Sequence, residues 1–228
     1  MKKRYYLLVL LFVLTIPLDA QRNSDYGIYG GVSYYMGDIN PGTLYYGSRP
    51  AVGFIYRYNL HPRHALRANI HYGSIRANDL DFDNDFQQAR AESFSNSILE
   101  LAAQFEFNFL PYTTTGKWWD YTPYFAVGGG ICLITGPSPE YTPVIPFSVG
   151  LKVNIYKNTG LELEYGFRKT FYDNFDGLID NVNADHHTWT HNNDWYMFTG
   201  LTLTWKMFHN LGSCPAYDDY KDKKRRRR

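Results

Sequence analysis

The sequence predicts an all-β fold, an eight-stranded antiparallel transmembrane β-barrel, and three observations predict it. The first is the stretch LELAAQFEFNF at residues 99–109. Leu99, Leu101, Ala103, Phe105, Phe107 and Phe109 alternate with Glu100, Ala102, Gln104, Glu106 and Asn108. That period of two puts one set on each face of an extended strand; at 100° per residue the same apolar set would scatter around a helix. The run matches the ~9–11 residues that cross a bilayer at a tilt, and exceeds the ~5–6 of an ordinary soluble strand. The second observation is that seven other stretches share this character. The third is a segregation of bulk: glycines sit on one face, large rings on the other.

Taken in order, residues 1–20 read as a secretory signal. Lys2, Lys3 and Arg4 precede an apolar core over 7–16 and Leu18-Asp19-Ala20. The core is too short for a spanning helix. The domain organisation expected is therefore a signal over 1–20, a barrel over 21–208 and a polar periplasmic tail over 209–228. The first strand, 25–36, sets Tyr26, Ile28, Val32, Tyr34 and Met36 against Gly27, Tyr29, Gly31, Ser33 and Tyr35. A loop over 37–48 contains the turn signal Pro41-Gly42. The second strand, 49–60, sets Val52, Phe54, Tyr56 and Tyr58 against Gly53, Ile55, Arg57 and Asn59. After His61-Pro62-Arg63 the third, 64–75, sets Leu66, Ala68, Ile70 and Tyr72 against Arg67, Asn69, His71 and Gly73.

Residues 76–94 read as an acidic loop, and 99–109 is the fourth strand. A turn over 110–119 ends in Trp118-Trp119. The fifth strand, 120–134, carries Phe125, Val127, Ile131 and Leu133 opposite Tyr124, Ala126, Gly128, Gly130 and Cys132. A Pro-rich loop over 135–142 leads to the sixth, 143–156. There Phe147, Val149, Leu151, Val153 and Ile155 oppose Ser148, Gly150, Lys152 and Asn154. Lys157-Asn158 is a short turn. The seventh strand, 159–171, sets Leu161, Leu163, Tyr165 and Phe167 against Glu162, Glu164, Gly166, Arg168 and Thr170. The longest loop covers 172–193. The eighth strand, 194–208, sets Trp195, Met197, Leu201, Leu203 and Trp205 against Gly200, Thr202, Thr204 and Lys206. Longer and shorter connections alternate, as in outer-membrane barrels, and an even strand count leaves both termini in the periplasm.

Bulk decides which face is inside. An eight-stranded barrel has room only for its own side chains, so the glycine-bearing polar face belongs within and the aromatic face against lipid; a soluble lipocalin-like barrel would reverse this. The aromatic content, 18% with 21 Tyr and 15 Phe, suits interfacial girdles. The interior then holds Arg57, Arg67, Lys152, Arg168 and Lys206 against Glu100, Glu106, Glu162 and Glu164. Buried charges require partners, so a salt-bridged plug without a conducting channel is expected. The net charge of +1 points to no nucleic acid partner.

Other chemistry fits less well. Asp185, His186, His187, His191 and Asp194 match no defined metal spacing. The run Asp79, Asp81, Asp83, Asp85 lacks the glycine and terminal glutamate of a calcium loop. A lipid hydrolase would need Ser, His and an acid together, and His71 and Ser74, three apart in a strand, point to opposite faces. No catalytic residue, metal or cofactor is expected. Cys132 faces inward near the outer end and Cys214 lies in the tail, too far apart for the ~4.4–6.8 Å that a disulfide spans. Cys214 is thus a candidate for bonding another chain in an oxidising compartment.

The segment GGVSYYMGDIN at residues 30–40, with Cys214-Pro215-Ala216-Tyr217 after the eighth strand, resembles the PorG family of the Bacteroidetes type IX secretion system. The resemblance implies an outer-membrane barrel without catalytic residues, associated with a periplasmic ring built from a lipoprotein and a second subunit, and needed for cargo export. It makes the tail the expected contact with the ring: Cys214, Pro215, Tyr217, Asp218, Asp219, Lys223, Lys224 and Arg225. The alternative is a surface adhesion or ligand-binding barrel acting through its outer loops.

Overall fold

The computed structural model describes residues 24–37, 39–40, 42–83, 85–135, 140–171 and 195–206. Eight strands run in chain order: β1 (Ser24–Met36), β2 (Arg49–His61), β3 (His64–Asn78), β4 (Ser93–Asn108), β5 (Tyr121–Thr135), β6 (Glu140–Tyr156), β7 (Thr159–Thr170) and β8 (Trp195–Lys206). Each pairs antiparallel with its sequence neighbour, and β1 pairs with β8, from Asp25 opposite Lys206 to Met36 opposite Trp195. The sheet is a closed barrel. Closure leaves the sheet without a free edge, the condition for crossing lipid with strands. Among the described residues no helix is long and apolar enough to cross a membrane.

The period-two pattern sets the register around the whole circumference. Ile28, Phe54, Ile70, Leu101, Ile131, Val149, Leu163 and Leu201, one from each strand, point outward and are exposed. Their neighbours Tyr29, Ile55, Asn69, Ala102, Cys132, Ser148, Glu162 and Thr202 are buried. Leu101 is 58% exposed and Glu100 0%. A water-soluble protein hides oil and shows charge; this one does the reverse, as a transmembrane barrel must.

One end of the barrel carries tight turns, at 62–63 and 157–158, together with Ser24 and Lys206. Asn158 adopts φ +62°, a left-handed conformation that asparagine tolerates better than most residues. The opposite end carries the longer loops. There β3 and β4 run further than the sequence suggests. Strand β3 continues through Arg76 to Asn78 and β4 begins at Ser93, pairing Asn78 with Ser93. Ser93, Ser95, Asn96 and Ser97 hid this strand from an apolar-alternation reading. The acidic loop shrinks to a 3-10 turn (Asp79–Asp81) and a short helix, α1 (Asp85–Arg90).

Candidate functional site

The sequence-selected ionic residues come together in the middle of the lumen. Arg57 Nη1 and Nη2 donate to the two oxygens of Glu162, both at 2.6 Å, and its Nε donates to Glu106 Oε2 at 3.0 Å. Lys152 Nζ donates to Glu106 and, at 3.0 Å, to Asn108 Oδ1. Arg67 forms a second fork on Glu164, at 2.6 and 3.1 Å, while its Nε donates to Gln104 Oε1 at 3.0 Å. Arg168 donates from Nε to Glu100 Oε2 at 3.2 Å and lies 3.7 Å from Glu164. All eight ions are buried, four of each sign, so the cluster is neutral as a whole. Bidentate guanidinium–carboxylate pairs are the geometry that best offsets desolvation.

Phenols and an amide complete the network: Tyr124 and Gln104, on the polar face in sequence but uncharged, and Tyr196, which the sequence did not assign to a face. Tyr124 donates to Glu164 Oε2 at 2.9 Å and Tyr196 to Glu100 Oε2 at 2.6 Å. Lys152 sits 4.4 Å over the Tyr124 ring and Arg168 4.9 Å over Phe198, favourable cation–π positions. The inward glycines are sockets for these groups. A β-carbon at Gly53 would strike the imidazole of His71, and one at Gly166 the guanidinium of Arg168.

Lys206 is not part of this cluster. It lies 3.8 Å from Asp25, on the neighbouring strand at the short-turn end. Asp25 was a missed member of the site: it stands at the start of a strand otherwise read for its aromatics. Its Oδ2 accepts from Asn59 Nδ2 at 2.7 Å and Thr114 Oγ1 at 2.8 Å. Thr114 comes from the 109–120 turn, which folds back into the mouth. Tyr112 is buried there and donates to Asn154 Oδ1 at 2.6 Å, and Asn154 Nδ2 donates to Thr113 O at 2.9 Å. Burial pushes the Tyr112 phenol well above its ordinary value. The length of this turn, anomalous for its end of the barrel, is that of an inner plug.

The other half of the lumen departs from the ionic expectation. Tyr35, Ile39, Ala51, Ile75, Ala77, Ile98, Cys132, Ile134, Val144 and Phe198 form a continuous apolar core with Tyr29 and Tyr196. Ile39 belongs to the β1–β2 loop, and its carbonyl accepts from Gln87 Nε2 of α1 at 2.9 Å. Tyr46 of the same loop donates to Asp81 at 2.6 Å and packs on Phe82. Burial leads the causes that lift the Tyr46 phenol to about 12, followed by that hydrogen bond. Asp79 receives Arg90 Nε and Nη2 at 2.6 and 2.7 Å and the Glu92 N–H at 3.1 Å. Burial raises the Asp79 carboxyl; these donors outweigh it and hold it below its ordinary value. Two loops thus form one cap over the apolar half.

His71 is buried between Tyr29, Phe198 and Glu100, with Nδ1 3.5 Å from Glu100 Oε1. Ser74 faces away from it and its Oγ lies 3.2 Å from Ser97 Oγ. The two therefore do not form a nucleophile–base pair. Cys132 is a free, buried thiol in the apolar half. Among the described residues no three His, Cys, Asp or Glu side chains are grouped to hold a metal. The histidine loop (Asp185, His186, His187, His191, Asp194), the leader and the tail with Cys214, Pro215, Tyr217, Asp218, Asp219, Lys223, Lys224 and Arg225 lie outside the described residues.

Solved structures with this architecture are small outer-membrane barrels. The barrel is similar to Neisserial surface protein A, NspA, at 9% identity and a TM-score of 0.51, over 81% of this chain and 97% of that one. It also aligns with the outer membrane protein OprG from Pseudomonas aeruginosa, at 8% identity and TM-score 0.46, over 84% and 100% of the two chains. A third match is the outer membrane enzyme PagL, at 12% identity and TM-score 0.39, over 81% and 99%. At such identities the likeness shows the fold alone. No protein with a curated description matches the sequence. A family model described as a domain of unknown function, DUF6089, matches residues 3–217. That span takes in the whole barrel, and the chain belongs to the DUF6089 family.

Proposed function

We propose that this barrel is a non-enzymatic outer-membrane anchor whose periplasmic side docks a ring of the type IX secretion machinery, built from a lipoprotein and its partner subunit. One observation carries the reading: the lumen is filled from mouth to mouth. Among the described residues the 109–120 plug, the neutral ionic cluster and the apolar core succeed one another along it from the short-turn end to the long-loop end. A wall sealed in this way transmits nothing through its axis, so its work is done at its ends. The short-turn end, from which the chain continues past Lys206, is the periplasmic end in this reading. The segment with Cys214, Pro215, Tyr217, Asp218, Asp219, Lys223, Lys224 and Arg225 is the adaptor, and Cys214 bonds a periplasmic partner.

The test is affinity purification of the full chain in mild detergent, beside a chain lacking 213–228 and one lacking 172–193. Co-purification of a lipoprotein and a second periplasmic subunit, lost only with the tail, supports the anchor. A band shift on non-reducing gels, abolished by Cys214→Ser, supports the disulfide. Retention of both subunits without the tail, or no partner at all, ends the docking role.

The second reading, surface adhesion or ligand binding through the outer loops, draws on the cap in which Gln87, Ile39, Tyr46 and Asp81 hold two loops in one arrangement. Loss of binding to surfaces only on removal of 172–193 favours it.

A further inference from the structure

The 109–120 turn does two things. Its buried half plugs the barrel; its tip holds two indoles in the open. Trp118 and Trp119 are 70% and 67% exposed, stacked with ring centroids 6.3 Å apart and planes 9° from parallel. Large exposed aromatics on a rigid segment mark a contact surface. The segment is rigid: Gly116 N donates to Thr113 O at 2.8 Å, Lys117 N to Asp120 Oδ2 at 2.7 Å, and Trp119 N to Asn154 O at 3.0 Å. Trp119 holds φ +65°, an outlier for so bulky a residue, and such strain concentrates at functional positions.

Two features say what the surface meets. It continues the lipid-facing belt, since Tyr121 and Tyr156 are exposed where β5 and β6 end beside this turn, and the rings of Phe109 and Phe125 are 6.2 Å apart just below. It is also cationic. Lys117 precedes the indoles, and Lys157 follows Tyr156 on the strand that receives Trp119 N. Asp120 at the tip keeps its charge while accepting the Lys117 backbone N–H, so the two lysines outnumber it and leave the tip net positive; Asp25 is buried within the plug. Indoles seat at the glycerol level of a bilayer, and ammonium groups beside them face the phosphates.

We propose that the Trp118–Trp119 turn is a clasp for an anionic phospholipid of the adjoining leaflet, with the indoles in the glycerol layer and Lys117 and Lys157 on the headgroup. The clasp sets barrel depth and draws acidic lipid to this rim. It does not depend on the docking role proposed above.

The full chain is folded into phosphatidylcholine vesicles doped with either phosphatidylglycerol or phosphatidylcholine whose acyl chains are brominated near the glycerol. The quenched signal is the difference between the parent and Trp118→Phe/Trp119→Gly. At equal mole fraction, brominated phosphatidylglycerol is expected to quench it severalfold more than brominated phosphatidylcholine. Lys117→Gln/Lys157→Gln is expected to bring the two lipids to equality while quenching persists. Equal quenching of the parent, or a preference that survives the lysine changes, overturns the proposal. Absence of quenching by either lipid also overturns it, placing the indoles in water and giving the turn to a protein partner. Trp119→Gly accepts the positive φ without strain, so its urea midpoint should not fall. A fallen midpoint would mean that the indoles serve the fold, against the proposal.

Discussion

Arg57 and Glu162 meet side-on across the lumen, two parallel hydrogen bonds of 2.6 Å joining β2 to β7 through the barrel axis. Strands β2 and β7 flank the closing β1–β8 pair, so this fork spans the seam and cannot form until the sheet has closed.

Breaking the fork from one side leaves the buried cluster with an uncompensated charge. Glu162→Ala or Arg57→Ala is expected to cost about 3–5 kcal/mol, the range for orphaning one partner of a buried pair. Urea titration of the folded barrel in vesicles measures it. The double variant Arg57→Met/Glu162→Leu should recover part of the loss of Glu162→Ala. A further loss in the double variant would show that the fork is not the coupled unit.

Arg57 also donates to Glu106, which Lys152 shares. The sealed lumen predicts no steady ion conductance from the folded parent in planar bilayers. Steady conductance would show that an aqueous path skirts the cluster.

At the long-loop end, Asp79 and Arg90 staple the cap. The Asp79 carboxyl is held below its ordinary value in the folded state, so its contribution is fully present above the ordinary carboxylate range. That contribution is lost as the pH falls through its lowered value. Hydrogen exchange of residues 79–92 should therefore quicken on acidification below about pH 4. The same rise at neutral pH is expected for Asp79→Asn. An acid-insensitive cap would refute the staple.

Neither buried ring nitrogen of His71 makes a hydrogen bond of good geometry, Nδ1 standing 3.5 Å from Glu100 Oε1. Replacing an unsatisfied buried polar group with an apolar one of similar shape is close to neutral. His71→Phe, packed against Tyr29 and Phe198, is expected to change stability by less than about 1 kcal/mol. A large loss would assign His71 a bond to Glu100 that 3.5 Å does not suggest. Ester-lipid hydrolysis by the parent, abolished in this variant, would revive an enzymatic reading.

Opening the inner plug is the test of the 109–120 turn. Thr114→Val removes a donor from Asp25 and Tyr112→Ala removes the ring that closes the mouth. The pair is expected to cost about 2–5 kcal/mol through the cavity and the unsatisfied carboxylate. Hydrogen exchange in 109–120 should rise above that in 62–63. Unchanged protection would show that the turn rides on the rim without plugging it.

Much of this barrel is legible in one dimension. Period-two alternation needs no knowledge of neighbours: each strand is half wet and half oily by its own residues, as with Leu101 beside Glu100. The inward set, from Arg57 to Arg168, follows once glycine and bulk are assigned to faces. What failed did so for local reasons. At the long-loop end of β4 the alternation is inverted, with Ser93, Ser95 and Ser97 on the outward face and Phe94 and Ile98 inward, so it does not continue the apolar-out pattern of Leu99 and Leu101. Asp25 looked like a strand end until Lys206 and Thr114 were brought to it. Ile75, Ile98, Cys132 and Phe198 are apolar inside a lumen expected to be ionic. Cys132 stands between Ile131 and Leu133 and Phe198 beside Met197, so hydropathy does not separate the faces there, while Ile75 and Ile98 are apolar on the face that carries the ions further along the same strands.

The sequence by itself determined the number of strands, their direction and which face of each meets lipid, because those properties are set residue by residue along the chain. Tertiary structure decided which ion pairs with which, that the half of the lumen nearer the long loops is apolar, and that the 109–120 turn enters the mouth. These depend on the shear and closure of the barrel, which set distances between residues as far apart in the chain as Arg57 and Glu162.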